Sequence, residues 1–129
     1  KLSTAGAIAI GARNPLIAFN VFLETDEIAI ARRIARKVRF SSGGFPAVKA
    51  LGLLVSGKAQ VSMNFTDYTI TNLPVVLETI SLTAQTEGVS ISHSELVGLL
   101  PQEAVLSALA QFLKLPALNP EMLIETHIP

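Results

Sequence analysis

Cysteine is absent from the 129 residues. With it go a disulfide framework, a thiol nucleophile and any thiolate zinc site. Histidine is scarce: His93 and His127 stand far apart, without the spacing of a metal-ligating pair. Tryptophan is absent too, and the seven aromatics (six Phe and Tyr68) fall mostly at core-like strand positions. A nucleic-acid binder ordinarily carries net basic charge and stacking aromatics, whereas the formal net charge here is zero, so no nucleic-acid partner is expected. No apolar run approaches the roughly 20 residues of a membrane span, so no membrane partner is expected either. Residues 1–13 lack the charged head, apolar run and cleavage site of a secretory signal. The sequence does not begin with Met, as expected of a piece processed or excised from something longer.

What is present is a core-rich composition. Half of the residues are hydrophobic, 16% are charged, and the mean hydropathy is +0.50. The length, 1–129, fits one domain able to bury about two thirds of its unfolded surface. The halves differ in charge. Residues 1–64 hold nine Lys/Arg against Glu24, Asp26 and Glu27, a balance of +6; residues 65–129 hold Lys114 against seven acids, a balance of −6. Five of the ten cations lie between Arg32 and Arg39, which reads first as a solvated helix face and second as an anion-facing patch.

Hydrophobic periodicity orders the chain as β-α-β-β-α-β with an extra helix. Residues 15–23, PLIAFNVFL, are β-branched and aromatic and read as a strand. Thr25 offers an N-cap with Asp26 and Glu27 in the first turn, and Ile28, Ala31, Ile34, Ala35 and Val38 then recur at helical spacing to about Phe40. Residues 47–56 and 59–67 form a hairpin around Ser56-Gly57-Lys58. Pro74 opens a second helix and Gly88 closes it; residues 89–95 make a fourth strand, and Pro101 opens a third helix to about Lys114. The expectation is an α+β, ferredoxin-like βαββαβ sandwich, with a glycine-rich N-terminal segment and an extra C-terminal helix. Val61, Met63 and Phe65, with Ile17, Phe19, Val21 and Leu23, should lie under the helices. Gln60, Ser62, Asn64 and Thr66 should face away, joined by Asn20 and by Ser90, Ser92 and Ser94.

Several short motifs dissolve on inspection. Gly52 through Lys58 copies the spacing of a phosphate loop, but Ala59 stands where the metal-binding hydroxyl belongs and a strand follows where a helix should. Asn64-Phe65-Thr66 matches a glycosylation sequon by coincidence within a strand. His93 between two serines reads first as a surface or sheet-edge histidine and second as a catalytic base, for which no partner spacing speaks. Ser41-Ser-Gly-Gly44 reads first as a helix exit and second as a flexible anion-binding loop, and no Ser/His/Asp set or carboxylate pair has an identifying spacing. The segment Ala5-Gly6-Ala7-Ile8-Ala9-Ile10-Gly11-Ala12-Arg13 is different. It is too rich in glycine and alanine for a good core strand. It suits either close backbone approach to a planar or anionic ligand, with Arg13 as a donor, or a bulged edge strand.

Thr4-Ala-Gly-Ala-Ile-Ala-Ile-Gly-Ala-Arg-Asn-Pro-Leu-Ile-Ala-Phe-Asn-Val21, Ala59-Gln-Val-Ser-Met-Asn-Phe-Thr-Asp-Tyr68 and Ser94-Glu-Leu-Val-Gly-Leu-Leu-Pro101 together resemble the C-terminal subdomain of glutamate formimidoyltransferase (formiminotransferase). The blocks fall in the family's order and cover most of the chain. The resemblance implies a transferase of one-carbon groups, cytoplasmic, acting in histidine degradation. Its members move the formimidoyl group of N-formimidoyl-L-glutamate onto N5 of tetrahydrofolate, the cosubstrate. It further implies two ferredoxin-like subdomains whose sheets face each other around a folate-binding tunnel, in an enzyme that is a homodimer.

By that resemblance Ser3, Thr4, Ala5 and Gly6 inherit folate contact, Gly6 as an identity and the others by position. Arg13, Asn20 and Asn64 lie in matching blocks and are expected on the tunnel side. The family's general-base histidine belongs to the N-terminal subdomain, and neither His93 nor His127 falls at a matching position. The resemblance thus names that N-terminal subdomain as partner, assigns no catalytic residue and no metal to these 129 residues, and leaves formimidoyl and formyl donors unseparated. The alternative from another class is a non-catalytic ferredoxin-like ligand-binding or assembly module.

Overall fold

A computed structural model describes Gly6 and residues 8–128. The elements are β1 (Ile17–Leu23), α1 (Ile28–Val38), β2 (Val48–Val55), β3 (Lys58–Phe65), α2 (Leu73–Thr86), β4 (Ile91–Val97) and α3 (Gln102–Leu113). Short 3-10 turns follow α1 (Phe40–Ser42) and close the tail (Pro120–Met122 and Ile124–Thr126). The strands form one antiparallel sheet in the order β2-β3-β1-β4. That is the ferredoxin-like α+β arrangement expected from the element order.

Alternation decides which face is buried. Ile17, Val21, Leu23, Ala59, Val61, Met63 and Phe65 are at most 2% exposed, and with Val48 and Ala50 they form the sheet's share of the core. Helix α1 contributes Ile30, Ala31, Ile34, Ala35 and Val38; α2 contributes Val76, Ile80 and Ala84; α3 contributes Ala104. Phe19 is only partly buried. Gly52 explains how closely α1 lies on β2. A Cβ at that position would stand 2.3 Å from the backbone nitrogen of Arg32, so only glycine admits the helix there. The apparent phosphate-loop glycine is therefore a packing glycine. The hairpin between β2 and β3 turns on Ser56 (φ 50°) and Gly57 (φ 78°), the paired positive φ of a type I′ turn, with Val55 opposite Lys58.

Four local expectations need correction. Thr25 does not cap α1 from the flanking position; its Oγ1 accepts from Glu27 N–H at 3.1 Å, and the helix begins at Ile28 with Glu27 as its N-cap. β4 starts at Ile91 rather than Val89, because Val89 N–H is spent on Ala84 C=O and Gly88 N–H on Gln85 C=O. Those two bonds are a Schellman closure of α2, with Gly88 left-handed. Gln60 lies on the expected open face yet is only 4% exposed, flanked across the strands by Phe22 and Leu53. The described part of the leading segment, residues 8–16, forms no strand.

The end of α2 is tied to α1 by an ion pair. Arg33 donates from Nε to Glu87 Oε1 at 2.9 Å and from Nη2 to Oε2. The Arg33 hydrogen bond holds the Glu87 carboxyl below its ordinary value, and Glu87 raises the Arg33 guanidinium. A carboxyl whose folded value is depressed contributes stability that is complete above its unfolded value of about 4.3 and is lost as pH falls through the folded value. Glu87→Gln should therefore melt slightly below the parent near pH 7, and the two melting curves should merge below about pH 4. Melting temperatures measured across pH check this; a gap that persists unchanged into acid would show that the pair is not its source.

Candidate functional site

The face of the sheet away from the helices has no layer over it among the described residues. Register sets its side chains in rows: Lys49, Asn64, Ala18 and Val97; then Leu51, Ser62, Asn20 and Glu95; then Leu53, Gln60, Phe22 and His93. The middle is polar. Asn20 donates from Nδ2 to Glu95 Oε2 at 3.1 Å, beside Ser62. The two edge strands mix characters: Leu51, Leu53 and Val97 are 60%, 39% and 51% exposed and share the margins with Lys49, Glu95 and His93. The three exposed apolar side chains are the groups that a second layer on this face would bury.

Two clefts indent this face. One of about 450 Å³ is lined by Lys49, Leu51, Ser62 and Asn64, with Arg39 and Phe40 arriving from the turn after α1. Its donors, a guanidinium, an ammonium and an amide, are the groups that bind a carboxylate or a carbonyl. The other, about 430 Å³, lies at the opposite end among Phe22, Val55, Ser56, Lys58, His93 and Glu95. There Lys58 donates to both oxygens of Glu24 at 2.9 Å and to Ser92 Oγ at 3.0 Å. The Lys58 hydrogen bond, followed by that of Ser92, holds the Glu24 carboxyl below its ordinary value. The His93 ring stacks on Phe22, centroids 4.5 Å apart and planes within 8°, and its Nδ1 lies 3.0 Å from Ser92 Oγ. Among the described residues no group of His, Asp and Glu could hold a metal ion.

Asn20 and Asn64 thus stand on the open face, as alternation indicates, and Asn64 lines the larger cleft. Arg13 is exposed in the segment leading to β1 and donates to the neighbouring Asn14 C=O at 3.3 Å. That segment is anchored beside the end of β3: Asn14 Nδ2 donates to Asp67 Oδ2 at 3.3 Å. Asp67 is itself held in place by Thr69, whose side-chain and backbone donors keep its carboxyl below the ordinary value. The leading segment therefore enters at the same end of the sheet as Asn64 and Lys49, which share the first rows with Phe65's neighbours. Gly6 is exposed, and a Cβ there would meet nothing within 4 Å. Ser3, Thr4 and Ala5 lie outside the described residues.

Sequence reasoning missed Lys49, Lys58, His93 and Glu95 as members of this face. It placed Ser94 there instead, whereas Ser94 pairs with Val21 on the helix side. The cause is the shift in register opposite Phe22 and Leu23, which leaves Ser92 over and sends His93 and Glu95 to the open face.

Comparison with known proteins adds a second line of observation. The model of the formiminotransferase domain matches residues 18–125. The chain is similar to the glutamate formimidoyltransferase of Streptococcus pyogenes serotype M1, at 39% identity over 97% of this chain and 43% of that protein. It is 37% identical to the glutamate formimidoyltransferase of Thermoplasma acidophilum, over 94% of this chain and 41% of that protein. It is 40% identical to the formimidoyltransferase-cyclodeaminase of Dictyostelium discoideum, over 80% of this chain and 20% of that protein. The chain thus spans less than half the length of these curated relatives.

Proposed function

The chain belongs to the formiminotransferase domain family, and from that premise we propose that residues 1–129 form its C-terminal subdomain and supply one wall of a folate site. The reaction assigned is transfer of a formimidoyl group from N-formimidoyl-L-glutamate to tetrahydrofolate, within histidine degradation. The observation that carries the reading is the uncovered sheet face, with its polar centre and its exposed Leu51, Leu53 and Val97, in a chain that matches the family from residue 18 to residue 125. A second subdomain laid on that face would bury Leu51, Leu53 and Val97 and enclose the two clefts between sheets.

The residues suit the folate end of the reaction. The larger cleft lies within the size range of small-molecule sites, roughly 300–1,000 Å³. Arg39, Lys49 and Asn64 would take the carboxylates of the cosubstrate, and Arg13 would reach the same end of the sheet from the leading segment. Asn20, already bonded to Glu95, offers a fixed amide at the centre of the wall. Ser3, Thr4, Ala5 and Gly6 would bring backbone close to the folate.

In the chemistry the N5 amine of tetrahydrofolate forms a bond to the formimidoyl carbon. The carbon's bond to the glutamate nitrogen breaks, and that nitrogen leaves carrying a proton. The proton lost by N5 needs a base within hydrogen-bond reach. That base is assigned to the partner subdomain, and the role of this chain is binding and orientation. An intact enzyme of this design would work as a homodimer.

The test is a pair of variants in a reconstituted two-subdomain protein titrated with tetrahydrofolate. Gly6→Val should weaken binding about tenfold or more, roughly 1.4 kcal/mol, while melting barely moves, because the added Cβ meets open space. Arg13→Ala should also weaken binding, and its deficit should shrink at high salt as a lost charge-assisted contact does. Unchanged affinity in both variants would remove the leading segment from the site. Absence of any folate affinity in the parent would favour an assembly module without catalysis.

A further inference from the structure

We propose that the outer edge of β2, together with the arginine row of α1, is a docking site for an extended acidic segment of another protein, bound by strand addition. The proposal does not rest on the folate reading.

Among the described residues β2 is an edge strand of eight residues, paired on one side only, to β3. Half of its backbone N–H and C=O groups therefore point outward without a sheet partner. Natural edges are blunted by proline, by bulges or by clustered charge. β2 carries no proline, its pairing to β3 runs from Val48 to Val55 without a register break, and Lys49 is its one charged residue. The opposite edge, β4, has a register shift and carries His93 and Glu95.

Beside this open edge α1 sets Arg32 and Arg36, and Arg39 follows at its C-cap. With Leu51, Gly52 and Leu53 they line a cleft of about 310 Å³. Gly52 is the cause, since its missing side chain lets the helix backbone down onto the strand and its arginines overhang the edge. Arg33, one position away, is already paired with Glu87. Among the described residues Arg32 and Arg36 meet no carboxylate, and Arg39 donates from Nε to Ser42 Oγ at 2.6 Å.

The spacing selects the ligand. Arg32 and Arg36 are four residues apart, about 6 Å along a helix. Side chains on one face of an extended strand recur every two residues, about 6.6 Å. A strand added to β2 with Asp or Glu at alternate positions would therefore set successive carboxylates against successive guanidiniums. A lone small anion would use the arginines and leave the backbone edge unpaired. A second copy of this chain is disfavoured, because pairing β2 with β2 would bring two arginine rows together.

The experiment titrates the chain with a synthetic peptide of the length of β2 that alternates Glu with Thr, read by amide NMR shifts and calorimetry. The expected result is shifts across residues 48–55, binding that weakens with salt, and no binding of the same peptide with Lys in place of Glu. The double variant R32A/R36A should lose about tenfold or more in affinity. Lys37→Ala, an equal change of charge per residue on the same helix, should lose nothing comparable. Melting curves of all variants should coincide, since these side chains are exposed. The proposal is overturned by absence of binding, by shifts confined to the arginines, by an equal loss in Lys37→Ala, or by self-association through β2 in the absence of peptide.

Discussion

Phe65→Ala should cost about 3–5 kcal/mol of folding free energy, as truncation of a fully buried aromatic does. Phe65 is 0% exposed at the end of β3, with Ile17 of β1 on one side and Val48 of β2 on the other. It closes the core beneath the point where the leading segment joins the sheet. Its removal takes away buried apolar area and leaves a cavity that rigid neighbours on two strands cannot fill. Set against a total stability of about 5–15 kcal/mol, that loss leaves a domain near its unfolding threshold. Ser62→Ala is the contrast, three residues away on the open face, beside Asn20 and Leu51. It should be nearly silent. Urea unfolding measures both: the Phe65 variant should move the midpoint with little change in slope. Equal losses in the two variants would mean that the two faces of the sheet are equally packed, and the orientation argued here would fall.

Most of the fold was legible because each strand and helix carries its own period. Val61, Met63 and Phe65 alternate with Gln60, Ser62 and Asn64, and the structure puts the first three in the core. Pro74 and Gly88 bracket α2 as start and stop residues should; the N-cap itself, Asn72, whose Oδ1 accepts from Val75 N–H at 3.3 Å, was not among the expected residues. What failed depends on partners distant in sequence. Val89 looks like a strand residue, but its N–H is committed to the helix behind it. Gln60 looks solvated until Phe22 and Leu53 are set on either side of it.

The candidate site divides in the same way. Asn20 and Asn64 could be placed by alternation, because β1 and β3 have unambiguous apolar rows. β4 could not: in Ile91-Ser-His-Ser-Glu-Leu-Val97 neither phase puts all apolar residues on one side, and the shift at Ser92 chooses. The reach of Lys58 to Glu24 and Ser92 crosses 34 positions in each direction, which no local pattern encodes. The arginine row was visible as a charge cluster. Its meaning as the flank of an open edge required knowing that β2, not β3, ends the sheet.

The second large effect is all-or-none. A positioned base contributes about 10²–10⁴ in rate, and a site missing one of its two walls loses orientation as well. This chain by itself should therefore give no measurable formimidoyl transfer. The N-terminal half of a formiminotransferase should restore it, by supplying both the base and the second wall. The most direct measurement follows formation of 5-formimidoyl-tetrahydrofolate from N-formimidoyl-L-glutamate in parallel reactions. One contains this chain, one the N-terminal half, and one the two together. The expected result is product only in the combined reaction, with a rate that saturates as one half is titrated into the other. Turnover by this chain alone would contradict the account and make His93, exposed on the open face, the first residue to test as the base; failure of the combined halves to turn over, with both folded and associated, would contradict the assignment of this sheet face as a wall of the site.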